Sequence, residues 1–401
     1  MRKMERYLRE CPTWAMILIG VMVLFTCGFV TSLVGVDYEA HNEIALMLKF
    51  RDPIGTFRDH PEPLWHIFVA VIVKLTHIRV EFAAGIVTAA FVLFSFFLTY
   101  FAIRKAVPDV EGSVVAFFCI ILHIVIAIYV PWFNKEPYIG QGSPNIWHNC
   151  TSIAIRPIAL LVVLLVIKEI EQCRASDFNR NVSVPRGIGI AILLVLSCLA
   201  KPAFVQIFYP SIFTLMVVWL IMYNGRSLRM GLQLVLVCLP SLLLTILQFV
   251  LAFYGTNKHA GGVTIAPFLV AGMRTPNIPL SMLLALAFPL MMLVLSIVYK
   301  KCGWLEIFAW IHLIWGSVWR LLLAEKGDRA PHGNFTWGYI LALYLVWFVA
   351  IRSFVQIFYD RQEEEQKGQF PLFIIAGILL ALHFISGIYY LIYLVFLGNG
   401  M

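Results

Sequence analysis

Residues 14–34 read WAMILIGVMVLFTCGFVTSLV, and residues 35–63, which follow without a spacer, read GVDYEAHNEIALMLKFRDPIGTFRDHPEP. The first segment is an uncharged apolar run of the length that a helix needs to cross a bilayer. The second segment is rich in ionisable side chains: Asp37, Glu39, His41, Glu43, Asp52, Asp59, His60 and Glu62. Because these side chains directly follow a membrane helix in a mostly apolar chain, we expect the chemistry of the protein to lie in residues 35–63.

The composition of the chain excludes a soluble globular protein. Of its 401 residues, 61% are hydrophobic and 13% are charged, and the mean hydropathy is +0.86. Soluble domains are about half apolar and about a quarter charged. Apolar runs of spanning length recur from one end of the chain to the other. We therefore expect an all-α, polytopic membrane helical bundle that forms a single integral domain over residues 1–401, with the first run kept as an uncleaved helix.

Cysteine content and net charge give weaker indications. The eight cysteines are scattered, mostly inside apolar runs, and none forms a CxxC pair. This pattern indicates buried thiols rather than disulfides or a metal site. The formal net charge of +8 serves mainly to indicate which loops are cytoplasmic, and it also favours attraction to anionic lipid. We expect membrane lipid, and no nucleic acid, as a partner.

The positive-inside rule orients the chain. The basic residues of the N-terminus, MRKMERYLRE, place it in the cytoplasm and residues 35–63 outside. Residues 64–75 are short for a span, and the positive clusters that follow fall in the cytoplasm only if this piece lies at the surface. This assignment gives an interfacial helix and about eleven spans, at residues 13–34, 82–103, 113–131, 152–168, 187–200, 204–222, 231–253, 280–298, 304–323, 338–358 and 371–396.

Reactive residue types concentrate in the predicted external loops, which are residues 35–63, 131–151, 254–279 and 324–337. These loops hold mixed acids, bases, Asn, Gly and Trp, whereas the predicted cytoplasmic loops are short and basic. We therefore expect the working face of the protein to be external. No convincing inverted repeat is present, which lowers the expectation of a secondary transporter.

Asp37 and Glu39 are the predicted catalytic residues. Their D-x-E spacing just past a helix end allows both carboxylates to meet one divalent cation, Mg²⁺ or Mn²⁺, or to share a proton transfer. The alternative is a solvated anchor at the helix end. His60, before two prolines, either contacts a phosphate or Asp37, or lies in an exposed turn.

A second cluster lies in residues 140–149, GQGSPNIWHN. Asn145, His148 and Asn149 offer hydrogen bonds, and Trp147 offers a flat surface for a sugar ring or an anchor at the membrane interface. Arg156 enters a span, where an unpaired charge is costly, and needs an acid or a ligand phosphate as its partner.

Two further basic residues are candidates for phosphate binding. Lys201, in a tight hinge before Pro202, either points into a cavity or extends to the surface. Arg274 lies in the external loop at residues 254–279, where an exposed basic residue is more often solvated.

The last cluster lies in residues 324–337. Arg329 and His332 can hold a diphosphate, and Asn334 can contact a sugar. Glu325 completes the set of predicted substrate-binding residues, and a charged surface loop is the alternative interpretation.

The layout of the chain resembles the GT-C superfamily of multispan glycosyltransferases. The resemblance rests on Asp37 right after the first helix, a loop that reaches HPEPLW (residues 60–65), a surface-lying helix, and an inward helix that ends in Arg104. Members of that superfamily transfer a sugar from a polyprenyl-phosphate donor on the outer or lumenal face.

The resemblance implies roles for several residues. Asp37 takes the place of the acid that serves as base or metal ligand, and Glu39 completes a D-x-E variant. Arg274, Arg329 and His332 are carried over by location only, as residues that hold the donor phosphate. The large soluble C-terminal domain of some relatives is absent, which favours a small bacterial-type enzyme of the plasma membrane that acts on surface polysaccharide or a lipid-linked glycan.

Three other functions remain open at this point. A polysaccharide polymerase would use a diphosphate-linked glycan donor, for which Arg320, Arg329 and His332 are suited. A membrane acyltransferase would need a catalytic histidine, and His148 is the candidate. A transporter of lipid or glycan would place charges deep in the spans, and the sequence shows few.

Overall fold

The computed structural model describes residues 10–48, 51–134, 142–254, 262–363 and 370–397. In this part of the chain, nine helices are long and apolar enough to cross a membrane, as a polytopic membrane protein requires. The helices are α1 (Thr13–Val34), α2 (Val36–Met47), α3 (Pro53–Asp59), α4 (Leu64–Thr76), α5 (Val80–Ala106), α6 (Gly112–Ile124), α7 (Cys150–Ala175), α8 (Val184–Ala200), α9 (Ala203–Met222), α10 (Leu228–Tyr254), α11 (Leu269–Arg274), α12 (Ile278–Val298), α13 (Trp304–Leu322), α14 (Thr336–Glu363) and α15 (Phe370–Ile392).

Two helices form the centre of the bundle. In α7 and α14, 83% and 89% of the most apolar stretch is buried inside the protein. Helix α7 packs on α5 and α8, and α14 packs on α12 and α13. In contrast, α10 is mostly exposed and packs chiefly on α8. The central helices are therefore covered by protein, whereas α10 presents its leucine-rich surface to lipid.

Two of the predicted spans are shorter helices. Helices α6 and α8, at the predicted spans 113–131 and 187–200, have 13 and 17 residues. Helix α6 ends early because the following residues are extended and buried. The backbone N–H of Ile126 donates to the carbonyl of His383 (3.4 Å), and that of Ile128 donates to the carbonyl of Leu284 (3.0 Å). Irregular backbone at membrane depth is tolerated where protein surrounds it.

The segment between α1 and α5 makes no net crossing of the bundle. Gly85, near the beginning of α5, packs against Phe29 and Ser32, near the end of α1. The end of α1 and the beginning of α5 therefore lie at one level, and α4 lies between them in the chain. This placement supports the predicted interfacial position of α4, whose 13 residues reach only about 20 Å.

The predicted loops contain more regular structure than the sequence indicates. Residues 35–63, predicted as one loop, contain the helices α2 and α3. The later loops pair with each other through the antiparallel strands β1 (Val263–Ile265) and β2 (Leu323–Glu325), so the fold is not purely helical. A 3₁₀ helix at Gly327–His332 and a π-helical turn at Tyr393–Leu397 complete the secondary structure of the described residues.

Candidate functional site

A cavity of about 1240 Å³ lies at the end of the bundle where α1 stops and the two central helices begin. Segments distant in the sequence meet there, including the first turn of α2, the loop before α7, the hinge before α9 and the β-ribbon. Seven predicted site residues line this cavity: Asp37, His148, Lys201, Arg274, Glu325, His332 and Asn334. The residues that the sequence placed in four separate loops and in the hinge at Lys201 are therefore brought together in space.

Asn149 organises one wall of the cavity. It is the N-cap of α7, where its Oδ1 accepts a hydrogen bond from the backbone N–H of Ser152 (3.0 Å). The same side chain donates from Nδ2 to Oδ2 of Asp37 (3.4 Å) and accepts at Oδ1 from Nζ of Lys201 (3.0 Å). One asparagine thus fixes the beginning of the central helix, the predicted base and a lysine in a single network.

Asp37 faces this network from the first turn of α2. The N-terminal turn of a helix favours a carboxylate because the unpaired backbone N–H groups carry partial positive charge. Its side chain keeps 44% of its surface exposed, and its Oδ2 lies 3.8 Å from Nε2 of His148. The carboxylate is therefore oriented by its neighbours and still open to a ligand in the cavity.

His148 is held from its other nitrogen by Tyr390 in α15. Nδ1 of His148 lies 2.9 Å from the hydroxyl of Tyr390. Burial lowers the pKa of His148 to about 4, although the nearby Asp37 carboxylate raises it and Lys201 lowers it further. The imidazole is consequently neutral at pH 7.

Lys201 is a buried cation on the same wall, with 8% of its surface exposed. Nζ donates to Asn149 and to Oγ1 of Thr151 (both 3.0 Å) and lies 4.0 Å from the ring centroid of Trp337. Burial lowers the pKa of Lys201 to about 8, and the acids Glu62 and Asp37 oppose that shift. The ammonium group is therefore mostly charged at pH 7 and close to its titration range.

A pair of histidines fixes α2 against α4 beside the cavity. Nδ1 of His41 lies 2.9 Å from Nε2 of His66, and Nδ1 of His66 lies 3.2 Å from the carbonyl oxygen of Glu62. Because that carbonyl only accepts, His66 carries its proton on Nδ1 and accepts from His41. Burial lowers the pKa of His41 to about 3 and of His66 to about 4, so both rings are neutral.

Another part of the cavity lining comes from α11, α13, the strands β1 and β2, and the segment before α14. Nδ2 of Asn334 donates to Oε2 of Glu325 (2.7 Å), and Arg274 donates to the carbonyl of Pro331. Arg320, near the end of α13, is buried, and its guanidinium carbon lies 4.5 Å from the ring centroid of Tyr339. Arg274 and Arg320 thus line the cavity in addition to Lys201.

Asn145 and Arg156 do not line the cavity but hold the protein interior together. Nδ2 of Asn145 donates to the carbonyls of Leu122 and Val125 (2.7 and 2.8 Å), and Oδ1 accepts from Arg156 (3.0 Å). These contacts satisfy carbonyls at the end of α6, where the helix leaves them without partners. The partner that Arg156 needs is therefore an asparagine, and not the acid or ligand phosphate that the sequence predicted.

Trp147 and Glu39 also point away from the cavity. Trp147 is fully buried, and its carbonyl accepts a hydrogen bond from the hydroxyl of Tyr38 (3.3 Å). Glu39 is exposed, because residues two apart on a helix are about 200° apart around its axis, and Asp37 already faces inward. The D-x-E pair predicted for a loop is separated by the helical conformation of α2.

The two remaining predicted residues are His60 and Arg329. His60 ends α3, and although its neighbours Pro61 and Glu62 line the cavity, His60 does not. The side chain of Arg329 lies outside the described residues.

The described residues do not fit a dedicated site for Mg²⁺ or Mn²⁺. Of the two carboxylates predicted as ligands, Asp37 alone faces the cavity. No group of three or more His, Cys, Asp or Glu side chains in the described ranges is arranged to hold a metal ion. The neighbours of Asp37 that the structure does show are Asn149 and His148, one an amide and the other a neutral ring.

Sequence reasoning missed two polar residues of the site. Gln248, in α10, donates to the carbonyls of Pro61 (2.7 Å) and Cys198 (2.9 Å) and lines the cavity. A glutamine inside an apolar span is itself a signal, because polar groups within a membrane need a reason. Tyr390, the partner of His148, gives no such signal, since it lies among other aromatic residues 242 positions away.

The chain matches no known family, no curated protein and no solved structure in the comparisons made with it. The assignment of function therefore depends on the geometry of the cavity and on the layout of the chain.

Proposed function

We propose that the chain is a membrane glycosyltransferase that moves a sugar from a polyprenyl-phosphate-linked donor to a glycan or lipid-linked acceptor. The observation that carries the proposal is the half-exposed carboxylate of Asp37, which faces a large cavity, is oriented by Asn149 and lies in one network with the buried cation Lys201. A base for the acceptor and a cation for the departing phosphate are the two groups that this reaction needs. The resemblance to the GT-C superfamily supports the same assignment.

Asp37 acts as the general base in this proposal. The oxygen of the acceptor hydroxyl attacks the anomeric carbon of the donor, and the bond between that carbon and the phosphate oxygen breaks. Asp37 takes the hydroxyl proton, and the polyprenyl phosphate leaves with the electron pair. Because there is one displacement, the configuration at the anomeric carbon inverts. His148, whose Nδ1 lies 2.9 Å from the hydroxyl of Tyr390, has its Nε2 3.8 Å from the carboxylate.

The phosphate of the donor lies among the cations of the cavity. Lys201 is already desolvated and held by neutral partners, so a phosphate gains a charge-assisted contact without breaking an ion pair. Arg274 and Arg320 also line the cavity. Trp337, on whose ring Lys201 lies, gives a flat surface for the sugar.

The lipid part of the donor needs a lateral opening into the bilayer. Ile246 and Phe249 of α10 line the cavity and are also exposed on the outside of the bundle. The cavity is therefore continuous with a surface that faces lipid. Because α1 begins at the end opposite the cavity, a cytoplasmic N-terminus would place the reaction on the external face of a bacterial plasma membrane.

The test is release of polyprenyl phosphate from sugar-linked donors by the purified protein in liposomes. We expect Asp37→Asn to lower transfer from a panel of undecaprenyl-phosphate-linked hexoses and pentoses at least about a hundredfold, the lower bound for loss of a general base. Binding of undecaprenyl phosphate, measured by native mass spectrometry, should persist in this variant. Supplying lipid-linked glycans as acceptors completes the reaction mixture.

Glu43→Gln is the matched control, since it removes an exposed carboxylate from the same helix without touching the cavity. It should transfer sugar at the wild-type rate. Full activity of Asp37→Asn, or no release of the lipid phosphate by the wild-type chain from any donor, would overturn the proposal. Loss of activity in His148→Gln with activity kept in Asp37→Asn would instead indicate a histidine-dependent acyltransferase.

A polymerase that uses a diphosphate-linked glycan is the second candidate. The observation in its favour is that Arg274 and Arg320 line the cavity in addition to Lys201, which provides more positive charge than one phosphate needs. Competition between undecaprenyl phosphate and undecaprenyl diphosphate for the purified protein distinguishes the two donors.

A further inference from the structure

A second, smaller pocket lies away from the large cavity, at the edge of the same end of the bundle. It has a volume of about 550 Å³, and its lining residues come from the end of α2, the beginning of α3, the outer half of α4 and the first residue of α5. None of these residues lines the large cavity. The two pockets are therefore separate places for a ligand.

The small pocket joins an apolar floor to a charged rim. Ala45 and Ala70 are buried at its base, while Arg51 and Lys74 stand at its rim and are exposed. The one carboxylate that lines it, Asp52, is the N-cap of α3, where its Oδ1 accepts from the backbone N–H of Gly55 (2.9 Å). That carboxylate keeps its negative charge while it caps the helix, so the described rim residues carry two positive charges and one negative charge and are positive on balance.

Two other cations at this end, Arg58 and Arg79, lie next to acids and outside the pocket. Nε of Arg58 lies 3.2 Å from Asp59, and Nε of Arg79 lies 3.3 Å from Glu81. These pairs lie outside the pocket lining. Arg51 and Lys74 are thus distinguished from Arg58 and Arg79 by their place at a concave surface.

The surroundings of the pocket are those of the boundary between lipid headgroups and acyl chains. One face of α4 is buried against α5, and the other is apolar and exposed, with Leu75 74% exposed. Ile54 of α3 is 82% exposed, and Leu46 beside the pocket is exposed too. A surface-lying helix with such a face rests at the depth where phospholipid headgroups meet the hydrocarbon.

We propose that this pocket binds a phospholipid with an anionic headgroup. The phosphate lies between the guanidinium of Arg51 and the ammonium of Lys74, and the acyl chains pass over Leu46 and Leu75. Charge complementarity at the rim and apolar surface beside it are the two features that such a lipid recognises. This inference concerns a structural lipid and does not depend on the proposed glycosyl transfer.

The experiment compares lipid occupancy of the full chain by native mass spectrometry. Delipidated protein is titrated with phosphatidylglycerol or with phosphatidylethanolamine, and the bound fractions are measured. We expect wild type to prefer the anionic lipid, and Arg51→Gln/Lys74→Gln to lose about tenfold or more of that affinity, since each basic residue near a membrane surface adds about a factor of five.

Arg58→Gln/Arg79→Gln is the matched control, because it removes the same charge at the same end from cations that lie outside the pocket. It should lower the affinity for phosphatidylglycerol less than twofold. The exchange Arg51→Lys/Lys74→Arg, which keeps both charges, should retain binding, and a melting temperature for each variant shows that it is folded. Equal binding of the two lipids by wild type, or equal losses in the two Gln pairs, would overturn the proposal.

Failure of this inference would leave the glycosyltransferase proposal standing, since binding of undecaprenyl phosphate is measured at Lys201 in the other cavity. If inorganic phosphate displaces phosphatidylglycerol at low concentration, the pocket recognises a free anion and not a lipid.

Discussion

The two ends of the helix bundle both bury charged side chains, but they compensate those charges differently. At the end away from the cavity, the fully buried carboxylate of Glu169 pairs with Arg186 and Arg180, and it accepts from the backbone N–H of Ser183 (2.8 Å). At the cavity end, the buried Lys201 has only neutral hydrogen-bond partners among the described residues, Asn149 and Thr151.

The difference separates charges that only stabilise the fold from charges that can attract a ligand. A buried ion pair neutralises both of its members, so neither attracts a further ligand strongly. A cation held by an amide, a hydroxyl and an aromatic ring is fixed in position and keeps its charge. Its electric field then acts on whatever enters the cavity. The cavity end is therefore the end where the proposed function places its phosphate-bearing substrate.

Among the substitutions that test the difference between the two ends, the one with the largest expected effect changes the stability of the protein. Glu169→Gln should destabilise the protein by roughly 3 kcal/mol, because it leaves Arg186 and Arg180 partly buried beside a neutral amide. Urea or thermal unfolding in detergent measures the loss. Binding of undecaprenyl phosphate to the folded fraction should be unchanged.

Asp177→Asn is the control for this prediction. It breaks an ion pair with Arg226 at the same end, but both of those side chains are exposed. The cost should therefore stay below about 1 kcal/mol. If the two variants were equally stable, burial would not be what makes the Glu169 cluster structural.

The sequence was sufficient to predict the two ends but not the contacts within them. Because a helix must be long and apolar to cross the bilayer, most of the spans can be recognised in the sequence. The positive-inside rule then assigns Asp37 and Lys201 to the same side of the membrane. The separation of Asp37 from Glu39 was not predicted, because residues 35–63 look like a loop when their ionisable groups are counted. The helical signal was present in Asp37 itself, an acid in the first turn after Gly35.

The partners of the site residues were beyond sequence reasoning for a physical reason. Tyr390 and His148 meet only because α15 packs beside the loop that precedes α7. The antiparallel pairing of β1 with β2 likewise depends on two loops that are distant in the chain. Such contacts follow from the packing of helices, which leaves no periodic pattern at the residues concerned. The sequence therefore could not show that Trp147 is buried and that Trp337 lines the cavity.

The next effect is on ligand affinity. Lys201→Met removes the available charge and keeps a side chain of similar length, so we expect at least about a tenfold loss of affinity for undecaprenyl phosphate. Stability should change by less than about 1 kcal/mol, because a buried charge is replaced by an apolar group. Native mass spectrometry and thermal unfolding on the same preparation measure both quantities.

The expected effects of this variant are the reverse of those of Glu169→Gln. Lys201→Met should lower binding and keep stability, whereas Glu169→Gln should lower stability and keep binding. If Lys201→Met lost stability and kept its affinity for the lipid phosphate, the lysine would be a structural cation like those at the other end. The contrast between the two ends would then have no functional meaning.

The smallest effect is the dependence of binding on pH. Burial lowers the pKa of Lys201 to about 8, so the fraction of charged ammonium falls as pH rises through that value. Because the charged form binds the phosphate, affinity should fall above pH 8, approaching about tenfold per pH unit until the contribution of the lysine is lost. Titrations between pH 7.5 and 9.5 keep the lipid phosphate itself fully ionised. Lys201→Arg, whose guanidinium stays charged, should bind with little dependence on pH in this range, and Lys201→Met should bind weakly at every pH. A decline of the same size in all three proteins would place the titrating group elsewhere in the cavity and remove Lys201 from the phosphate site.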